Sequence, residues 1–415
     1  MRQSTHALYF VLVAGAAFVL YFASSLVLEA RKGTTHFGAD TWHYAELAQG
    51  NVLSRIAGNY YLDRIARFHP TTVFTAAAWL QILSPLARWI PPLYLLKAMF
   101  AFAGAAGVWA AMSAFAAVAS RRAALLFGVV YATSLGVWYF ASIEESKIVT
   151  ASLSALYIAV YLNLRKDWTL RGAALLTAIL LVACLNEVVS GFLVIIPLVD
   201  TLVRRGLNWR EGRWIPIHAL AGPAALVLME GVLYWRLAGV SHLEGTSHFS
   251  MLLYYVARND YSLGNLYSFT INWLFFNIAA PSIDASYAVP AWAHYKGYFA
   301  PSMLSYLSSP FSAGAAALLC IVVIASVMAG RKAENLGAWT GVLLGLAAYT
   351  LVRAAFFFLF NSFEPLLFSS PVTLAHMLLV AIPLATYKLP AKSVLLGAFA
   401  VSLFVANGAF ILFER

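Results

Sequence analysis

Of the 17 acidic residues in the 415-residue chain, five stand out by position: Asp40, Glu144, Glu145, Glu187 and Glu364 each fall at the end of an apolar run or in a loop beside one. Ionisable groups at membrane depth are costly and usually line a cavity or a reaction site. Each also has a plainer reading: Asp40 as a helix N-cap, Glu144 or Glu145 as the partner of Lys147, Glu187 as a solvated loop acid. Cations accompany them in sequence, namely Arg55, Arg64, Arg67, Lys147, Arg258 and Lys296, with His69, His242, His248 and His294 nearby. A phosphate or pyrophosphate needs such donors, although a single exposed Arg is more often a solvated group or a lipid-headgroup contact.

Other chemistries find little support. His36 and His43 are seven apart and His242 and His248 six apart, and no HExxH or CxxC occurs, so no metal site is readable and no cofactor is indicated. The two cysteines, Cys184 and Cys320, sit inside apolar runs, which argues against a disulfide framework. Walker, GxGxxG, GxSxG and kinase signatures are absent, so an energy-rich substrate has to arrive preformed. A lipid-phosphate-linked sugar meets that need.

The elements that position these residues are set by composition. Hydrophobic side chains make up 62% of the chain and charged ones 11%, with a mean hydropathy of +0.78. One aqueous core cannot hide that much apolar surface, so lipid is the solvent and the chain is an all-α integral membrane protein. The net charge of +10 is carried by short loops between apolar runs, where it sets orientation rather than nucleic-acid binding.

Basic loops at Arg121-Arg122, Arg165 to Arg171, Arg204 to Arg213, Arg331-Lys332 and Lys388 to Lys392 alternate with poorly basic ones at Glu144-Glu145, Asn186-Glu187, 238–308 and Asn361 to Glu364. The positive-inside tendency makes the first set cytoplasmic and the second external. About eleven spans follow, near 7–29, 93–118, 123–140, 147–164, 170–185, 188–203, 214–236, 310–330, 336–358, 366–387 and 393–413. The chain reads as a single polytopic domain, 1–415, with a cytoplasmic N-terminus, a first external loop at 30–92 and a second large external segment at 238–308. The lack of an Asn-x-Ser/Thr sequon fits a bacterial inner membrane.

Residues 70–88 do not fit as a span, because counting them would invert every later loop. They are expected to form a non-spanning interfacial helix entered through His69-Pro70 and left through Ser84-Pro85. Before it, an amphipathic helix from Asp40 to about Ser54 is expected.

At this point the layout resembles the GT-C superfamily of polytopic glycosyltransferases, in the branch of protein O-mannosyltransferases and aminoarabinose transferases. The likeness rests on Asp40-Thr41-Trp42-His43-Tyr44, His69-Pro70-Thr71-Thr72, the run from Glu145 to Leu156-Tyr157, and the stretch from Glu364. Thr41 stands where that family's acid pair has its second acid, so the paired carboxylates of a metal-dependent mechanism are not reproduced. The chain ends at Arg415 without the soluble external domain that many members carry, so no acceptor is implied.

The resemblance implies inverting transfer of a sugar from a polyprenyl-phosphate-linked donor to an unidentified lipid, glycan or protein acceptor on the non-cytoplasmic face. Asp40 is then the general base, with Glu145 as the second acid, and Arg67, His69 and Lys147 hold the leaving phosphate. Glu364 and Lys296 complete the substrate-binding set. The rival readings are a lipid or solute transporter or flippase using the same charges, and a non-catalytic subunit of an envelope assembly.

Overall fold

A computed structural model describes residues 2–32, 44, 46–47, 66, 68–165, 169–205, 214–233, 247–282, 303–333, 336–362, 364–387 and 391–413. All regular structure among them is helical. In chain order the α-helices are α1 (Arg2–Lys32), α2 (Pro70–Ile82), α3 (Pro92–Val118), α4 (Arg121–Thr133), α5 (Leu135–Ala141), α6 (Ser146–Leu164), α7 (Leu170–Asn186), α8 (Ile195–Arg205), α9 (Trp214–Ala219), α10 (Ala221–Val227), α11 (His248–Val256), α12 (Leu263–Ile271), α13 (Pro310–Lys332), α14 (Thr340–Asn361), α15 (Pro365–Ser369), α16 (Thr373–Thr386) and α17 (Lys392–Phe413).

Among the described residues, 7 helical stretches are long and apolar enough to cross a membrane, or 8 if the bent pair α4–α5 is one span. The chain is an integral membrane protein. The other three expected positions are filled by shorter pieces: α7, the 3-10 turn Val188–Val194 leading into α8, and α9 with α10 and the π-turn Leu228–Leu233. Of these runs, α7 is one continuous helix of 17 residues, the run 188–203 passes from a 3-10 turn into α8, and the run 214–236 is broken at Leu220, shortly before Pro223.

Helix α2 begins with Pro at its first position, where the missing N–H costs nothing, and holds 13 residues, about 20 Å of length. That is too short for ~30 Å of hydrocarbon. The Trp79 indole donates to Leu95 O at 2.8 Å, fastening α2 to the start of α3. Ile82, Leu86, Trp89 and Ile90 beyond it stay exposed, with the Arg88 guanidinium 5.4 Å from the Trp89 ring.

The bundle packs through small residues, as membrane helices do where lipid gives no hydrophobic drive. Helix α3 packs on α1, α4 and α6, α13 on α16 and α17, and α8 on α14. The last pair meets at Gly341 and Gly345, four residues apart on α14. A Cβ on Gly345 would stand 2.8 Å from Ile196 O, and one on Gly341 2.8 Å from Asp200 Cα.

Expected span 123–140 is broken at Ser134, where α4 and α5 meet at 59°. Ser134 is extended, so the following amides lose their helical acceptors. Two carbonyls from far along the chain replace them: Leu135 N donates to Ile278 O at 3.1 Å and Gly136 N to Asn277 O at 2.8 Å. Asn407 on α17 holds that inserted segment, donating to Thr133 O at 2.7 Å and Ile278 O at 2.8 Å and accepting from Ala280 N at 2.7 Å. Irregular backbone inside the bundle is tolerated because protein groups satisfy it.

Candidate functional site

The end of the bundle where α1 and α14 finish and α3 and α6 begin gathers buried charge. Glu187 lies in the break between α7 and the 3-10 turn, with extended backbone. Its Oε1 accepts from Lys147 Nζ at 2.8 Å, and its Oε2 accepts from Arg353 Nη2. Burial alone would raise the Glu187 carboxyl, but the Arg353 guanidinium and the Lys147 ammonium hold it down at about 2. Aromatic rings close the cluster. Lys147 Nζ stands 4.9 Å from the Phe368 ring centroid, the Arg353 guanidinium 5.0 Å from that of Phe357, and Arg353 Nε donates to Phe368 O at 3.3 Å. Two cations on one carboxylate leave this triad at a formal +1, with Glu29, Glu144 and Glu145 at the same end of the bundle, and its two cations are donors of the kind an anionic ligand requires.

Asn186, the residue before Glu187, ties three elements together. Its Oδ1 accepts from Thr72 N at 3.0 Å and Thr72 Oγ1 at 2.6 Å, and its Nδ2 donates to Ser146 O at 3.1 Å and Thr150 Oγ1 at 2.8 Å. His69 Nδ1 lies 2.5 Å from Asn186 O. The start of the non-spanning α2 is thereby locked to the residues beside Lys147 and Glu187. His69 and Lys147 are brought to one place, His69 as the clasp of α2 on Asn186.

A second cluster adjoins the first. Lys97 on α3 pairs with Glu144 and lies 3.3 Å from Glu29 on α1. Burial pushes the Glu144 carboxyl up against the pull of Lys97. Glu145 is buried at the N-cap of α6 and accepts from Ser146 Oγ at 3.0 Å. The plainer reading of a Glu144 or Glu145 pair with Lys147 is therefore corrected: Lys147 turns to Glu187, since the acids beside it sit on the cap and not on the same helical face. Glu364 starts α15 and accepts from Asn361, while Phe368, one turn on, is the member of α15 that reaches the charge cluster.

The segment 247–282 docks over the same end. Asn259 accepts from Ser362 N at 3.1 Å and Ser362 Oγ at 2.6 Å, and Tyr261 OH donates to Leu359 O at 3.0 Å, capping α14. His248 pairs with Glu230 and packs its ring 4.4 Å from Phe68. Asp40, Arg67 and Lys296 lie outside the described residues, as does most of the expected helix from Asp40 to about Ser54. Among the described residues no cluster of three His, Cys, Asp or Glu side chains is placed to share a metal ion.

The residues that sequence reasoning did not assign to the site are Lys97, Glu29, Arg353 and Glu187 in its bridging role. The signal was present for two of them, since Lys97 and Arg353 are lone cations inside apolar runs.

No protein-family model and no curated protein sequence matches the chain. Solved structures do. ArnT from Cupriavidus metallidurans in the apo state aligns with a TM-score of 0.58 at 14% identity, over 97% of this chain and 76% of that one. The same protein bound to undecaprenyl phosphate gives 0.57, again at 14% identity over 97% and 76%. An oligosaccharyltransferase from Archaeoglobus fulgidus, tethered to an acceptor peptide containing the NVT sequon, gives 0.52 at 13% identity, over 97% of this chain and 55% of that one. These neighbours are glycosyltransferases of one superfamily, and the chain has their architecture: it adopts the GT-C fold.

Proposed function

We propose that this protein is a membrane glycosyltransferase that moves a sugar from a polyprenyl-phosphate-linked donor to an acceptor on the non-cytoplasmic face of a bacterial inner membrane. The observation that carries the reading is the Lys147–Glu187–Arg353 cluster, two buried cations around one carboxylate at one end of a GT-C fold. One of the GT-C neighbours binds undecaprenyl phosphate, a ligand of the chemistry such a cluster would hold.

In this reading the acceptor hydroxyl oxygen attacks the anomeric carbon from the face opposite the phosphate. The carbon–oxygen bond to phosphate breaks, the phosphate leaves with the electron pair, and the hydroxyl proton passes to the Asp40 carboxylate. Proton removal accompanies attack because a neutral hydroxyl is a weak nucleophile. Lys147 and Arg353, helped by Arg67, His69 and Lys296 from the loops 30–92 and 238–308, stabilise the charge that develops on the phosphate. Glu145 is the second acid of this reading and Glu364 a further substrate-binding residue. The acceptor is a lipid, glycan or protein.

Purified protein given a panel of polyprenyl-phosphate sugars should release polyprenyl phosphate from one of them. Passage of an intact lipid or solute across a vesicle without donor cleavage would instead identify a transporter. The orientation has its own check: single cysteines at 168 and 332 should be shielded from an impermeant thiol reagent added outside cells, and one at 242 should react. The reverse pattern would invert the topology.

A further inference from the structure

We propose that Glu187 is a built-in counter-ion that holds, between one lipid carrier and the next, the place on Lys147 and Arg353 that the carrier's phosphate takes. The inference rests on the reading of Lys147 as a phosphate donor given above and extends it to how the phosphate enters and leaves.

The geometry of the carboxylate is the first ground. One oxygen faces each cation, Oε1 on Lys147 Nζ at 2.8 Å and Oε2 on Arg353 Nη2. Two non-bridging phosphate oxygens would engage the same two donors in the same way. Charge is the second. One carboxylate against two cations leaves this triad at a formal +1, beside the two acids on Lys97, and the buried Arg353 Nη1 has no acceptor in good hydrogen-bond geometry among the described residues. A desolvated guanidinium N–H without an acceptor is costly and marks where a further anionic oxygen fits. The buried Tyr349 hydroxyl, itself without a partner in good hydrogen-bond geometry, interacts with Arg353 and lies near Glu187.

The third ground is that the cations have supports of their own. Arg353 donates to Phe368 O and stands beside Phe357, and Lys147 stands over Phe368, contacts that do not involve the carboxylate. Glu187 stands on extended backbone at the C-cap of α7, its N–H on Ala183 O at 2.9 Å and its C=O accepting from Ser190 N at 2.8 Å, so its side chain can swing away by rotation about its own bonds while the backbone stays held. An entering phosphate thus displaces a carboxylate, and a departing one is replaced by it. Release of product does not leave two bare cations buried, and the product is held less tightly than the cations alone would hold it.

Binding of a short-chain polyprenyl phosphate to purified protein, followed by calorimetry, tests this. Glu187→Gln keeps the shape and removes the charge, and should tighten binding at least about tenfold. Arg353→Gln and Arg353→Gln/Glu187→Gln form a second pair, in which the double variant has the formal charge of the native cluster. The double variant should bind at least about tenfold more tightly than Arg353→Gln. Equal or weaker binding by folded Glu187→Gln, or by the double variant against its single parent, while the native protein binds normally, would overturn the counter-ion and leave the glycosyltransferase reading intact. Absence of any binding by the native protein would overturn both.

Discussion

Replacing Asp40 by Asn is expected to lower turnover by ~100-fold or more while donor binding survives. The residue is expected to head the amphipathic helix of the first external loop, four positions before the buried Tyr44, and resembles the first acid of the superfamily pattern. Asn keeps most of what a capping Asp does, because both side chains accept from helix amides. It cannot take a proton. A cap and a base therefore part at this one substitution, and steady-state kinetics with a donor-binding assay reads the difference. Near-normal transfer would reduce Asp40 to a cap and leave Glu145, buried at the head of α6, as the next acid to examine.

Replacing Asp200 by Asn should do the opposite, leaving the chemistry alone and damaging the fold. At the far end of the bundle Asp200 accepts from Arg165 Nε and Nη2 at 3.0 Å each and from Tyr161 OH at 2.5 Å, and lies 3.1 Å from Arg204 Nε. Arg165 also donates to Ala338 O at 3.0 Å, so this carboxylate joins α6, α8 and the start of α14. Removing it strands a buried guanidinium, a loss of ~3–5 kcal/mol where a buried pair is broken from one side. Thermal unfolding in detergent should show a large fall in Tm, partly restored by Arg165→Met/Asp200→Leu, since an apolar pair removes the stranded guanidinium and leaves only Tyr161 OH and the part-exposed Arg204 without this acceptor. An unchanged Tm for Asp200→Asn would contradict this account of the bundle.

How much of this was legible in the sequence depends on range. Helices α1, α3, α6, α13, α14, α16 and α17 follow from apolar length, and the non-spanning α2 from Pro70 and the balance of basic loops. The break at Ser134 was not legible, because its substitute acceptors come from Asn277 and Ile278 and their support from Asn407. The site divides in the same way. Lys147 and His69 could be picked out as polar groups beside apolar runs, but the carboxylate that Lys147 meets is 40 positions away and the guanidinium on the other side of it 166 further from Glu187. Local reasoning paired Lys147 with the nearest acids, yet an acid at an N-cap and a cation two positions later do not share a helical face. Asn186 was legible only as a loop residue, since two of its four side-chain bonds need α2 and the other two need α6 packed against the end of α7.

The central claim is that Lys147 and Arg353 hold the phosphate of a lipid-linked glycosyl donor, and it is tested most directly by determining the structure with a polyprenyl phosphate bound. The phosphate should lie within ~3 Å of Lys147 Nζ and of an Arg353 guanidinium nitrogen, with the Glu187 carboxylate withdrawn from both. A phosphate bound elsewhere on the protein, with Glu187 still bridging Lys147 and Arg353, would contradict it.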